Sequence, residues 1–473
     1  MWGHMRLAFA ILATMMIAGA SNIAHTESAA PDQQQFLDIY RELIGLNTTE
    51  SIGDSWRAAE AMAARLRAAG FPERDMRVLS SGPRKGNLVA RLRGSGARRP
   101  LLLLAHLDVV EARREDWETE PFQLTEIDGQ FRGRGVIDDK AMAAIFVANM
   151  ARYVREGLKP DRDIILALTA DEEQSDSPHN GVRWLLTNHR DLIDAEIAIN
   201  EGGGGALRNG RPFRMAVQLA EKVYQTYQLE VVDPGGHSAS PRRENAIYRL
   251  AAALGRLAEL EFPPRLNPVT RALFERMAAS ESAPVADAIR ALLAGRTDAA
   301  ALAALAARPD YNAQMRTTCV ATMLEAGHAE NALPQSARAI VNCRILPEES
   351  VAEVTRTLTA AIADEKVRIT TKGLAVESPP SVPHPEVMQA VTQLSTQMWP
   401  GIPLNAAMSA GYTDNRWLRN AGISAYGVSG LFSDPANNGV HGRNERVDVK
   451  AVMDSKEFLY KLVKLLATPM KSQ

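Results

Sequence analysis

The run Leu101-Leu-Leu-Leu104 constrains this chain most. Four leucines with no polar alternation suit a strand buried on both faces, and such strands sit in sheets that helices cover on each side. Ile164–Leu168 repeats the signal, Glu196–Asn200 reads as a short strand, and the segment from Asn87 to Arg93 alternates. Between these runs, Ala141–Glu156 and Gly181–Leu192 carry helical patterns. Upstream, Phe36, Ile39, Tyr40, Leu43 and Ile44 fall on one helical face. Strands alternating with helices predict an α/β sandwich built on a mixed, largely parallel sheet.

The pattern changes near Glu221. Val223–Val232 alternates and ends at the turn Asp233-Pro-Gly-Gly. Two further strand runs, Thr317–Leu324 and Ala337–Ile345, flank a turn holding Asn331-Ala-Leu-Pro334, and a helix follows over Glu349–Asp364. An Ala/Leu-rich helix is expected over Val285–Ala307, as packing material. Residues 221–370 therefore read as an α+β block with a helical insertion, itself inserted into an α/β domain made of 31–220 and 371–473.

Composition excludes some classes. With 54 basic and 56 acidic side chains the formal net charge is −2, so neither a nucleic-acid binder nor a polybasic membrane-surface protein is favoured. Arg6, the apolar run Leu7–Ala18 and Ala18-Gly19-Ala20 read as a signal peptide over 1–20 that is removed on export. That run is shorter than the ~20 residues of a membrane span. No cysteine follows it, so no lipid or other membrane anchor is expected after cleavage, and the mature chain is expected to be secreted or periplasmic. The 2 cysteines cannot build a four-Cys zinc site. Cys319 and Cys343, on strand candidates either side of the Asn331 turn, either pair in an oxidising compartment or stay buried as thiols.

Chemistry concentrates where apolar strands end. His106 closes the Leu101 run, with Asp108 two residues on, placed to accept the second imidazole N–H. Asp138-Asp139 precedes a helix, Asp171-Glu172-Glu173 follows the Ile164 strand, and Glu201 follows Asn200. Singly, each has a plainer reading: a packed histidine, helix-dipole complements, a solvated acidic loop. Jointly, a His, an Asp and two Glu at successive sheet edges, with His441, form a carboxylate-rich set for two metal ions. Imidazole and carboxylate without thiolate suit zinc, with manganese or cobalt as substitutes. Gly202–Gly205 lacks the Lys-Ser/Thr of a phosphate loop.

The five motifs His106-Leu-Asp108, Gly133-Arg-Gly-Val-Ile-Asp138-Asp139-Lys140, Asp171-Glu172-Glu173, Asn200-Glu201-Gly and Asn437-Asn-Gly-Val-His441-Gly-Arg-Asn444-Glu445 resemble the co-catalytic di-zinc exopeptidases. That family includes bacterial glutamate carboxypeptidase, aminoacylase and succinyl-diaminopimelate desuccinylase. The resemblance implies two Zn²⁺ ions, one on His106 and Glu201, the other on Glu173 and His441, with Asp138 between them. It implies Glu172 as general base, Asp108 as the partner of His106, and His237 as the oxyanion group, often working across a dimer. Asn331 and Arg344 match residues that hold a substrate carboxylate, and Thr413 lies in a Thr-Asp pair near the site. The 221–370 block becomes a lid and dimerisation domain. Ala141 departs from the family's usual Gly, which a helix start tolerates.

The implied activity is hydrolysis of an amide bond in a peptide or N-acyl amino acid, carboxypeptidase-like, by water held between the ions. An N-acyl-amino-acid deacylase or a dipeptidase is the nearest rival. A serine hydrolase finds no Gly-x-Ser-x-Gly here. A secreted, non-catalytic binding protein would have no use for Glu172 beside every ligand position.

Overall fold

A computed structural model describes residues 31–174, 177–279, 281–296, 298–434 and 437–468. The expected signal peptide lies outside the described residues.

The large sheet has ten strands and is mixed. At its centre, Leu101–His106 pairs parallel with Ile164–Thr169 on one side and with Ile197–Asn200 on the other. All three strands are buried along their whole length. Ser424–Gly427 continues the parallel set beyond Ile197–Asn200. Antiparallel strands complete both flanks, Lys85–Leu92 on one and Arg211–Glu221 on the other. One face is covered by helices Pro31–Gly45, Ser55–Ala68, Lys140–Arg155, Pro385–Met398 and Val449–Ala467, which share a core with the sheet. Helices Gly181–Asn188 and Asn415–Asn420 cover the other face. Lys140–Arg155 is buried on nearly every side, as its Ala, Met and Val content requires, and Ala141 opens it without strain.

A second, antiparallel sheet carries Thr318–Ala326, Ser336–Ile345, Val223–Val232 and Arg368–Lys372 in that order. Helices Ala246–Ala258 and Val351–Ile362 pack on it around a separate core that includes Tyr227, Leu250, Val341 and Leu358. Cys319 and Cys343 face each other in register and are disulfide-bonded, with a Cα–Cα distance of 4.1 Å. Among the described residues no helix is long and apolar enough to cross a membrane.

The structure differs from the sequence reading in several elements; the expected Gly181–Leu192 helix, for one, breaks at His189 into Gly181–Asn188 and Arg190–Ile193. The helix expected over Val285–Ala307 is two helices, Ala283–Leu293 and Ala299–Ala306. Gly295, at φ +71°, ends the first, and the Asp298 carboxylate caps the second by accepting from the Ala300 N–H. The reading also passed over a hairpin, Gly204–Arg208 with Arg211–Glu221. Its signal was Asn209-Gly210, both at positive φ, the pair that a tight two-residue hairpin turn favours. Helices Pro268–Met277 and Pro309–Met315, with the two above, form a small core of their own around Phe274, Ile289 and Leu305. Val269 joins the large-sheet core, and Gln314 Nε2 donates to the Met408 carbonyl at 2.8 Å. This insertion therefore packs on the Leu404–Ser409 strand of the large sheet.

Candidate metal centre

Three neighbouring parallel strands end together. In register, His106 stands opposite Thr169, and Leu103 opposite Ile199. His106, the Asp171–Glu173 segment and Glu201 consequently emerge at one edge, where ligands of open α/β sheets bind. Asp138 reaches the same edge from the loop before helix Lys140–Arg155, and the Asp138–Asp139 peptide is cis. His441 comes from the Asn437–Asn444 loop at φ +57°.

The two carboxylate oxygens of Asp138 face different histidines. Oδ1 lies 3.0 Å from His106 Nε2, and Oδ2 lies 3.0 Å from His441 Nε2. Glu201 Oε2 is 3.9 Å from His106 Nε2, and Glu173 Oε2 is 3.1 Å from His441 Nε2. This makes two groups that could each hold a metal ion, His106–Asp138–Glu201 and Asp138–Glu173–His441. Within each group the ligand atoms lie within 4.8 Å of one another. Asp138 belongs to both. The donors are nitrogen and oxygen only, a set that suits a pair of divalent cations of the zinc or manganese kind.

Electrostatics agree with that fit. Burial pushes the Glu172 and Glu201 carboxyls well above the ordinary range, and neighbouring acids add to the rise. Burial opposes the charged form of His106, yet the Asp138 hydrogen bond and the charges of Glu201, Asp108 and Asp138 outweigh it and raise the imidazole well above its usual value. Hydrogen bonds to Asp138 and Glu173 push His441 up to about 10. A cluster that forces protons onto its acids and imidazoles is short of positive charge. Glu172 Oε1 is buried without a hydrogen-bond partner.

Surrounding groups hold these side chains. The Asp108 carbonyl, 2.9 Å from His106 Nδ1, is the partner of that ring N–H. This corrects the expectation that the Asp108 carboxylate would serve, since that carboxylate sits 3.7 Å away. It accepts instead from the backbone N–H groups of Glu172 at 3.1 Å and Glu173 at 3.0 Å. Asp108 thereby ties the His106 strand to the acidic segment. The buried Glu445 carboxylate, to which the sequence reading gave no role, accepts from the N–H groups of Gly135, Ile137 and Asp138 and from Arg134 Nη1. Its signal was an acid following His441-Gly-Arg-Asn, paired with the arginine of Gly-Arg134-Gly.

The inserted sheet places its candidates differently. His237 lies on a short strand paired with Ala332–Leu333, Asn331 is the turn residue just before that strand, Ser238 N–H donates to the Asn331 carbonyl, and both His237 and Asn331 are exposed. Neither belongs to the two ligand groups. Arg344 is half-buried, stacked on the Tyr224 ring at 4.6 Å, and its guanidinium has no carboxylate within ion-pair distance among the described residues. Tyr224 meets Tyr412 edge-on, and Arg416 lies 3.9 Å over Tyr412. The sequence reading missed this ladder, because cation–π partners have no fixed spacing. Thr413 is buried, and its hydroxyl and N–H both go to Glu221 Oε2 at 2.9 and 2.8 Å. Glu221 also pairs with buried Arg419, which reaches Ser378 Oγ, so this network joins the two chain crossings between the sheets. Gly202–Gly205 forms no phosphate cradle. A Cβ on Gly203 would come 2.3 Å from the Gly427 carbonyl oxygen, so the run is set by close backbone packing.

Residues 102–465 match Peptidase family M20/M25/M40. The chain is 29% identical over 374 residues to the human N-fatty-acyl-amino acid synthase/hydrolase PM20D1, covering 77% of this chain and 73% of that one. It is 35% identical over 236 residues to the succinyl-diaminopimelate desuccinylase of Delftia acidovorans, covering 47% and 56%. In fold it is similar to an M20 family metallo-carboxypeptidase from Sulfolobus solfataricus, with a TM-score of 0.69 at 17% identity over 91% of this chain and 98% of that one. With sheet, inserted domain and paired ligand groups in agreement, the chain belongs to peptidase family M20/M25/M40 and is a metal-dependent hydrolase of amide bonds.

Proposed function

We propose that the chain removes the acyl group from N-acyl amino acids, with two zinc ions at the Asp138 pair of sites. The observation that carries this reading is one shared carboxylate between two histidines, with the buried, unpartnered Oε1 of Glu172 beside it. Likeness to the human N-fatty-acyl-amino acid hydrolase supports the substrate class. The ions, when bound, lower the pKa of the attacking water and polarise the scissile carbonyl. Glu172 takes the proton from that water and returns it to the leaving nitrogen. Asn331 and Arg344 take the carboxylate of the amino acid, for which a guanidinium without a carboxylate partner is well suited. His237 donates to the developing oxyanion.

His237 is exposed and outside the ligand groups, so we assign it to the site of a second copy. The edge strand Thr318–Ala326 supports a dimer through the lid. It exposes Val320 by 62%, Met323 by 68% and Leu324 by 67%, and an unpaired apolar edge invites another strand. Export fits the Arg6–Ala20 pattern and the Cys319–Cys343 disulfide.

The test is a panel of N-acyl amino acids, dipeptides with free amines and carboxy-amidated analogues, offered to zinc-loaded enzyme with product analysis. Turnover of blocked amines over free ones, stopped by a chelator and restored by zinc, supports the reading. Preference for free dipeptides overturns it in favour of a dipeptidase.

A further inference from the structure

A cavity of about 620 Å³ opens beside the metal centre, with Asp138 and Glu201 in its lining. That is an ordinary volume for a site that encloses an organic ligand, ~300–1,000 Å³. Helix Lys140–Arg155 gives one wall through Met142 and Ile145, and the Leu404–Ser409 strand gives Met408. The helical insertion lines it too, through Leu273, Met277 and Tyr311. Gly202–Gly205 brings no side chains to its stretch of the lining.

We propose that this cavity takes the acyl chain, and that the Pro268–Met315 helical insertion sets how long a chain it accepts. The inference rests on the N-acyl-amino-acid reading above and assigns the two ends of that substrate to different regions. Arg344, the proposed carboxylate holder, does not line this cavity, so the acyl end is the one left to fill it. Three of the wall residues are methionines, whose unbranched thioethers fit chains of differing shape. Away from the metal centre the charged lining residues are Arg214, laid against the Phe213 ring, and exposed Asp310. Uncharged polar side chains, among them Gln218, Gln314, Asn405 and Asn438, complete the lining.

The prediction concerns chain length. With zinc-loaded enzyme and a series of N-acyl-leucines from acetyl to hexadecanoyl, kcat/KM should rise about fourfold per methylene until the pocket is full. Met277→Trp and Leu273→Trp should each cut kcat/KM for dodecanoyl-leucine at least tenfold and leave acetyl-leucine within about twofold. Met277→Leu should keep the wild-type profile. Dodecanoate should inhibit wild type and lose at least tenfold in potency on Met277→Trp. A flat chain-length profile, or an equal loss at every length in both Trp variants with normal thermal unfolding, overturns the acyl-pocket assignment. Failure of wild type to cleave any N-acyl amino acid overturns the functional reading instead, so the two failures are told apart.

Discussion

The edge of the large sheet and the inserted domain hold their candidate residues in opposite ways. At the sheet edge the ligand positions are backed by other groups: the Asp108 carbonyl for His106, the Asp108 carboxylate for Glu172 and Glu173, and Glu445 for the Asp138 loop. On the inserted domain, exposed His237 sits on a two-residue strand and exposed Asn331 in the turn before its partner strand, and His237 Nδ1 is engaged with the nearby Ala239 N–H. Metal ligands gain from rigidity, because charge stabilisation is strongest where no reorganisation is needed. Groups that must close over a substrate gain from being displaceable. On the function proposed above, the comparison divides the site into a part fixed by folding and a part to be delivered by motion or by a second copy.

The largest expected effect tests the fixed part. Glu172→Gln should lower kcat about 10²–10⁴-fold while elemental analysis finds the same zinc content. Retained activity would remove Glu172 from proton transfer. His237→Ala should cost about 10²–10³-fold in kcat with little change in KM. Mixing His237→Ala with Glu172→Gln under subunit exchange should then regain activity, because one mixed dimer site keeps both groups. No recovery with demonstrated exchange would return His237 to its own chain's site. Arg344→Lys is a smaller change. It should raise KM about tenfold for substrates with a free carboxylate and leave amidated analogues unchanged. An equal effect on both would place Arg344 in lid packing on Tyr224.

What the sequence made legible follows the same division. Leu101–Leu104 and Ile164–Leu168 announce their strands because burial on both faces leaves no polar position, and the residues that follow them include the candidate ligands His106 and Glu173. Strand ends and two loops bring Asp138, Glu173, Glu201 and His441 to one place, as the motifs anticipated. Asp108 was found, but which of its atoms meets His106 depends on a local backbone turn that no motif encodes. Glu221–Arg419 and the Tyr224–Tyr412 ladder stayed hidden, since their partners lie far apart in the chain. The helical insertion read as lid material because it lies within 221–370, yet it packs on Leu404–Ser409. Sequence position assigns a segment to a neighbour in the chain, whereas its apolar face decides what it covers.

The smallest effect probes the crossing between the two regions. Glu221 belongs to the buried network of the large sheet, and the next residue, Lys222, sends Nζ to the Arg316 carbonyl at 2.6 Å on the lid side. Burial, with repulsion from Arg344 and only partial relief from Glu349, pushes the Lys222 ammonium down to about 7 from an ordinary value of 10.5. Between those two values the unfolded chain holds a proton that the folded chain releases, so folding stability from this group grows as pH rises from about 7 to 10.5. It is fully present above 10.5 and lost as pH falls through about 7. Lys222→Met should remove that rise, which chemical unfolding midpoints at pH 7 and pH 9 would measure against wild type. If the two proteins show the same pH slope, Lys222 keeps its proton at the crossing, held by the Arg316 carbonyl. The two regions would then be joined by a fixed charge as well as by the Glu221–Arg419 pair.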